Sequence, residues 1–275
     1  MDGLDAGTLA TLVAALLAAG AVVGVLAGLF GVGGGAISVP VFFEIFGMLG
    51  YPEAVRMPLA VGTSLAVIIP TAIVSARGHY LRGTVDVGLL KLWAVPVVLG
   101  VAAGSLVARY ANPDLFKLVF IAVSAVIAAR LLSGGRGWKL RDGLPGRAAL
   151  RVYGVVIGLL GSLMGVGGGA MSNLVLTLHG VPIHNAVSTS AGVGILISIP
   201  GALGYMAAGW GKPGLPPDAI GYVSLLAFLV TIPTSMLTTR LGVRLAHALS
   251  RRALEVAFGL FLLAVCARFV AAMIW

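Results

Sequence analysis

Long apolar runs separated by short polar or basic stretches make up most of the chain. In the first half they cover Thr8–Phe30, Ala36–Leu49, Met57–Ser75, Val87–Val107 and Leu115–Leu132. In the second they cover Ala148–Met164, Ala170–Leu178, Asn185–Ala208, Ala219–Thr238 and Leu254–Trp275. About 20 apolar residues cross a hydrocarbon core of about 30 Å, so most of these runs predict membrane-spanning helices. Ala36–Leu49 and Ala170–Leu178 reach only about 14–21 Å at about 1.5 Å per residue. They predict short helices returning from a hairpin. Each follows a glycine-rich step, Gly31-Val32-Gly33-Gly34-Gly35-Ala36 or Gly165-Val166-Gly167-Gly168-Gly169-Ala170. Glycine costs about 1 kcal/mol relative to alanine inside a helix, so four in five positions predict a break. Broken backbone within a bilayer is tolerated only where protein or a water-lined cavity covers it, and the two breaks are therefore the candidate binding site.

Composition places the chain in the membrane. It has 275 residues, 59% hydrophobic and 10% charged, with a mean hydropathy of +1.08, whereas soluble domains carry about 25% charged residues. The net charge of +9 does not imply nucleic acid, because there is no basic stripe with interleaved aromatics. The single cysteine, Cys266, excludes an intrachain disulfide and a CxxC metal site. His79, His179, His184 and His247 show no ligand spacing, so no metal or other cofactor is called for. The first apolar run has an acidic flank (Asp2, Asp5) and exceeds a signal-peptide core of about 7–15 residues, so it is read as a retained helix.

The halves are copies. Besides the glycine steps, Ala60-Val61-Gly62-Thr63-Ser64 recurs as Ala186-Val187-Ser188-Thr189-Ser190, and Phe120 and Arg130 match Phe258 and Arg268 in spacing. This gives a first repeat over 1–132, a basic linker over 133–147 and a second repeat over 148–275. Basic residues cluster around the linker (Arg130, Arg136, Lys139, Arg141, Arg147, Arg151) and before the last helix (Arg240, Arg244, Arg251, Arg252). The positive-inside rule puts both regions, and the Arg77–Arg82 loop, in the cytoplasm and both termini outside. Each half then makes an odd number of crossings, so the copies are inverted, a recurring design of secondary transporters. The fold class is an all-α polytopic membrane protein of two inverted repeats, each a glycine-broken hairpin plus three crossing helices. The sequence leaves a homo-oligomer open.

A helix starting at such a break presents unpaired N–H groups and the positive end of its dipole, which suits an anion. The candidate site comprises Gly33, Gly34, Gly35 and Ser38 with Gly167, Gly168, Gly169, Ser172 and Asn173. Thr63, Ser64, Thr189 and Ser190 add uncharged donors. Two plainer readings stand beside this one: glycines that merely let helices pack closely, and hydroxyls bonded to the carbonyl one turn back. Glu44, late in a return helix, is the acidic residue nearest a span interior, so no carboxylate relay is evident. Trp93, Trp210 and Trp275 read as interfacial anchors, and Lys91 as a side chain reaching the interface.

The paired Gly-Leu-Phe-Gly-Val-Gly-Gly-Gly (28–35) and Gly-Ser-Leu-Met-Gly-Val-Gly-Gly-Gly (161–169) segments resemble the sulfite exporter TauE/SafE family. So do the two Thr-Ser steps and Ile199-Pro200-Gly201-Ala202. The resemblance runs from about Leu9 to Phe269, with one departure, Ser188 where Gly-Thr-Ser is commoner. It implies export of a small sulfur-containing or organic anion, such as sulfite or sulfoacetate, across a bacterial inner membrane. The expected partners are that anion and membrane lipid. An anion channel would use the same donors, whereas an enzyme would need a nucleophile, acid–base pair or metal set that is not apparent.

Overall fold

The structure, a computed structural model, describes residues 6–30, 34–134 and 138–274. Gly31, Val32, Gly33, Arg136, Trp275 and the acidic N-terminal flank lie outside the described residues, as do the side chains of His247 and Arg251. The first half contains α1 (Ala6–Phe30), α2 (Gly35–Met48), α3 (Glu53–Leu81), α4 (Val87–Tyr110) and α5 (Pro113–Leu132). The second contains α6 (Arg147–Met164), α7 (Gly169–Leu178), α8 (Ile183–Ala208), α9 (Leu225–Ala248) and α10 (Arg251–Ile274). A two-stranded hairpin, β1 (Ala219–Ile220) and β2 (Val223–Ser224), precedes α9. Among the described residues α3, α4, α5, α6, α8, α9 and α10 are long and apolar enough to cross a membrane, while α2 and α7 are too short. The protein is an all-α polytopic membrane protein.

α3 and α8 are the most buried spans and run antiparallel through the centre. Gly62 meets Tyr205, Gly201 meets Leu65, and His79 meets Ser188. Two further pairs run parallel and close. Gly100 of α4 lies on the Val155 carbonyl of α6 and Gly158 on that of Val97, while Gly20 and Gly24 of α1 lie on α9 at Thr231 and Ser235. No hydrophobic force drives helices together in lipid, so such contacts rely on small residues that bring backbones near each other.

The helix ends define two faces. At one, Arg252 of α10 donates to the Leu131 carbonyl of α5 (2.6 Å). There too, the linker amides of Leu140 and Gly143 bond to Leu178 and His179 at the end of α7. This face gathers the basic residues of the linker and of the ends of α3 and α9. The α6–α7 hairpin therefore returns to the face it left, as expected. At the opposite face Arg109 donates to the Ala207 carbonyl (3.1 Å). Lys117 is fully buried there and reaches Glu53 Oε1 (2.6 Å), Asp114 Oδ1 (3.1 Å) and the Ala272 carbonyl (3.0 Å), joining α3, α5 and α10. Aromatic rings fill the space around it: Phe269 packs edge-on against Phe43 and Phe120, and Tyr205 against Phe116 and Tyr222.

Two expectations are corrected. Trp93 is no interfacial anchor: it is wholly buried, and its Nε1 donates to the Leu150 carbonyl (2.7 Å). The run beginning at Ala219 is not helical at its start. The Asp218 carboxylate and Ser224 hydroxyl cap the amides of Leu226 (3.0 Å) and Ala227 (3.2 Å), so the helix begins at Leu225. Trp210, by contrast, is exposed, and Glu44 is paired with Arg268 (3.0 Å).

A Cβ at Gly158 would collide with the Val97 backbone, whereas one at Gly78 meets nothing within 4 Å. Gly158→Leu should therefore destabilise the detergent-solubilised protein by at least about 1–3 kcal/mol, the usual cost of overpacking. Gly78→Leu should leave it unchanged; the thermal unfolding midpoint reads both.

Candidate functional site

The breaks form because three glycines adopt a left-handed backbone: Gly34 (φ 81°), Gly165 (φ 66°) and Gly168 (φ 69°). Glycine takes up this region without the steric penalty of a Cβ. α6 ends at Gly165, α7 starts after Gly168, and α2 starts after Gly34. The two breaks touch, since a Cβ on Gly35 would lie 2.8 Å from the Val166 Cα.

The hydroxyls at the breaks have definite partners. Ser38 donates to the Gly34 carbonyl (3.0 Å) and Ser172 to that of Gly168 (2.6 Å), one turn back in each copy. Ser172 also bonds Ser190 (2.9 Å). Ser64 of α3 donates to the Gly165 carbonyl across the halves (2.8 Å). The two threonines act alike. Thr63 Oγ1 accepts the Ser224 amide before α9 (3.0 Å), and Thr189 Oγ1 accepts the Asp86 amide before α4 (3.0 Å). Both donors are caps: Asp86 holds the Leu89 amide (2.9 Å), and Ser224 that of Ala227. Each Thr-Ser step thus anchors a helix start from the other half, a role that neither the donor reading nor the one-turn-back reading anticipates.

Beside the second break lies a cavity of about 930 Å³ that extends towards the basic face. Its deep end is formed by Ile68, Gly167 and Gly194, and its mouth by Arg82, Arg130, His184 and Glu255. From Ile68 to Arg82 along α3 is about 21 Å at about 1.5 Å per residue, so the cavity reaches far into the protein. The cavity gathers Gly167, Gly169, Asn173 and Ser190. Gly34, Gly35, Ser38, Thr63, Ser64, Gly168, Ser172 and Thr189 do not line it, and Gly33 is outside the described residues. The first-turn amides of α7 lack intrahelical acceptors, and two of those residues, Gly169 and Ala170, face the cavity. Asn173 joins them one turn on, its Oδ1 buried without a hydrogen-bond partner among the described residues.

Sequence reasoning missed the other wall. Thr71, Ser75 and His79 of α3, with Arg82 just past its end, line the cavity. Their spacing of three and four residues puts them on one side of the helix, and that polar stripe in an otherwise apolar run was the available signal. Arg130 donates to Thr177 of α7 (2.6 Å), as its counterpart Arg268 reaches Glu44 of α2 (3.1 Å). Each arginine ties a last helix to a return helix.

A polytopic helical bundle with broken hairpins and a deep cavity open to one face has the architecture of a membrane transporter. The chain belongs to the sulfite exporter TauE/SafE family, whose model matches residues 16–269. It is 31% identical to a probable membrane transporter protein of Haemophilus influenzae, over 93% of this chain and 97% of that one. A probable membrane transporter protein of Methanocaldococcus jannaschii is 29% identical over 88% of this chain and 89% of its own length. No solved structure matches the chain.

Leaving a buried amide without its acceptor costs about 1–3 kcal/mol. Thr63→Val and Thr189→Val should each lower unfolding stability by about that amount, measured by thermal denaturation in detergent. The loss at Thr63 should be the larger, because the Ser224 amide is buried whereas the Asp86 amide is only partly so.

Proposed function

We propose that this protein is a secondary transporter exporting a small sulfur-containing or organic anion, of the sulfite or sulfoacetate kind, across a bacterial inner membrane. The basic face is cytoplasmic and both termini are periplasmic. The observation that carries this reading is the one-sided cavity ending at a glycine break. Its deep end offers main-chain amides, Asn173 and Ser190, its mouth offers Arg82 and Arg130, and the opposite face is packed shut around Lys117. Amides and hydroxyls offset negative charge without a counter-ion. A cavity closed at one end suits alternating access better than an open anion channel.

The two halves, 1–132 and 148–275, are inverted repeats in this reading. Supporting it, α1 lies parallel to α9 as α6 does to α4, and Thr63 and Thr189 anchor equivalent helix starts. The residues of the first break then form the counterpart site in the outward-facing state, where Gly33, Gly34, Gly35 and Ser38 take the places of Gly167, Gly168, Gly169 and Ser172. Thr63, Ser64 and Thr189 hold that pair of sites in register.

In proteoliposomes the protein should release loaded sulfite or sulfoacetate with a rate that saturates as internal anion rises. A rate that rises linearly without limit would overturn the transporter reading in favour of a channel. Asn173→Leu should weaken anion binding at least tenfold while the protein still folds. It is a cleaner probe than Gly168→Leu, which would force a side chain into left-handed backbone and against Ile197.

The closed face yields a second test. Removing the Glu53 carboxylate leaves the buried Lys117 with only the Asp114 carboxylate and the Ala272 carbonyl, whereas an apolar replacement of a buried charge is often neutral or stabilising. In a Cys266→Ala background, a cysteine at Ser190 should be labelled from the basic side. Glu53→Ala should add labelling from the opposite side, and Lys117→Met should suppress it.

A further inference from the structure

The cavity brings together two of the four histidines that the sequence scatters. His79 of α3 and His184 of α8 both line it, and Ser188 lies between them. Ser188 donates its single hydroxyl proton to the His184 carbonyl (2.7 Å). Its oxygen sits 3.0 Å from His79 Nδ1, and with that proton committed it can only accept. Nδ1 of His79 therefore carries the hydrogen, and Nε2 is the nitrogen left to take up a further proton. The charged groups around the imidazole come from four elements: Arg82 beyond the end of α3, His184 on α8, Arg130 on α5 and Glu255 on α10. Glu255 is itself paired with Arg252 (3.6 Å). Asp86 nearby is committed to capping α4.

Resting on the anion-transport reading, we propose that His79 is a proton-binding site whose occupancy is linked to that of the anion. An anion entering the cavity adds negative charge beside the imidazole and favours its protonated form, and a protonated imidazole in turn strengthens anion binding. Histidine is the side chain that ordinarily changes charge between about pH 5 and 8. A linkage of this sign makes proton and anion travel together rather than exchange. The anion leaves as the equivalent of its acid, down its own gradient.

The test measures sulfoacetate binding to the purified protein by calorimetry between pH 5.5 and 8.5, in buffers of different ionisation enthalpy. Sulfoacetate serves as the probe because it stays fully ionised over that range, so any proton taken up goes to the protein. Wild type should take up a proton on binding, with affinity rising by up to about tenfold per pH unit as pH falls. His79→Gln, which keeps a donor for Ser188, should bind with a flat profile and no uptake, and His184→Gln should retain the slope. Binding without proton uptake in wild type, or an unchanged slope in His79→Gln, would overturn the linkage and leave the anion site standing. Absence of binding by sulfoacetate, sulfite and simple carboxylates at every pH would instead sink the anion site, and the linkage with it.

Discussion

Main-chain amides and carbonyls have no water to turn to inside hydrocarbon, and this constraint organises the whole molecule. An uninterrupted helix meets it unaided, but this chain interrupts two helices and starts two others, α4 and α9, against the opposite half. Each interruption needs partners from elsewhere. Ser64 caps the carbonyl of Gly165, and Thr63 and Thr189 accept the amides of Ser224 and Asp86. The two halves are thus joined by hydrogen bonds that neither could make alone. The first turn of α7, at Gly169 and Ala170, is the helix start that faces the cavity.

The two faces solve the burial of charge in opposite ways. On the basic face, arginines surround an opening and remain within reach of water. On the other, Lys117 lies wholly buried beneath Glu53, Asp114 and a carbonyl. Burying an ion pair brings little net stability over an apolar substitute, but breaking one partner is costly. That asymmetry makes such a pair a poor contributor to the fold and a good latch, since it holds one arrangement firmly and loses nearly all its value in any other.

Much of this was legible in the sequence, for reasons that differ from part to part. The spans could be read because bilayer thickness sets their length, and the breaks because glycine is costly within a helix. The family could be read from the paired glycine and Thr-Ser segments. Two kinds of feature escaped. Trp93 looked like an anchor by its place near a helix end, yet close packing of α4 on α6 buried it and gave its indole nitrogen the Leu150 carbonyl. The α3 wall escaped because a hydroxyl, another hydroxyl and a histidine at helical spacing raise no alarm in a linear reading. Only the antiparallel crossing of α3 and α8 puts His79 opposite Ser188.

Cavity size bears on where selection occurs. A volume of about 930 Å³ holds roughly thirty waters at about 30 Å³ each, far more room than a sulfite needs. In the proposed reading, an anion entering past Arg82 and Arg130 would therefore keep most of its hydration, and the arginines would act by raising its local concentration rather than by gripping it. On that reading dehydration becomes unavoidable only at the deep end, where Gly167, Gly169 and Asn173 would replace water with fixed donors. Glycine matters there for what it lacks: a side chain at either position would hold the anion away from the amides that must take the place of its water.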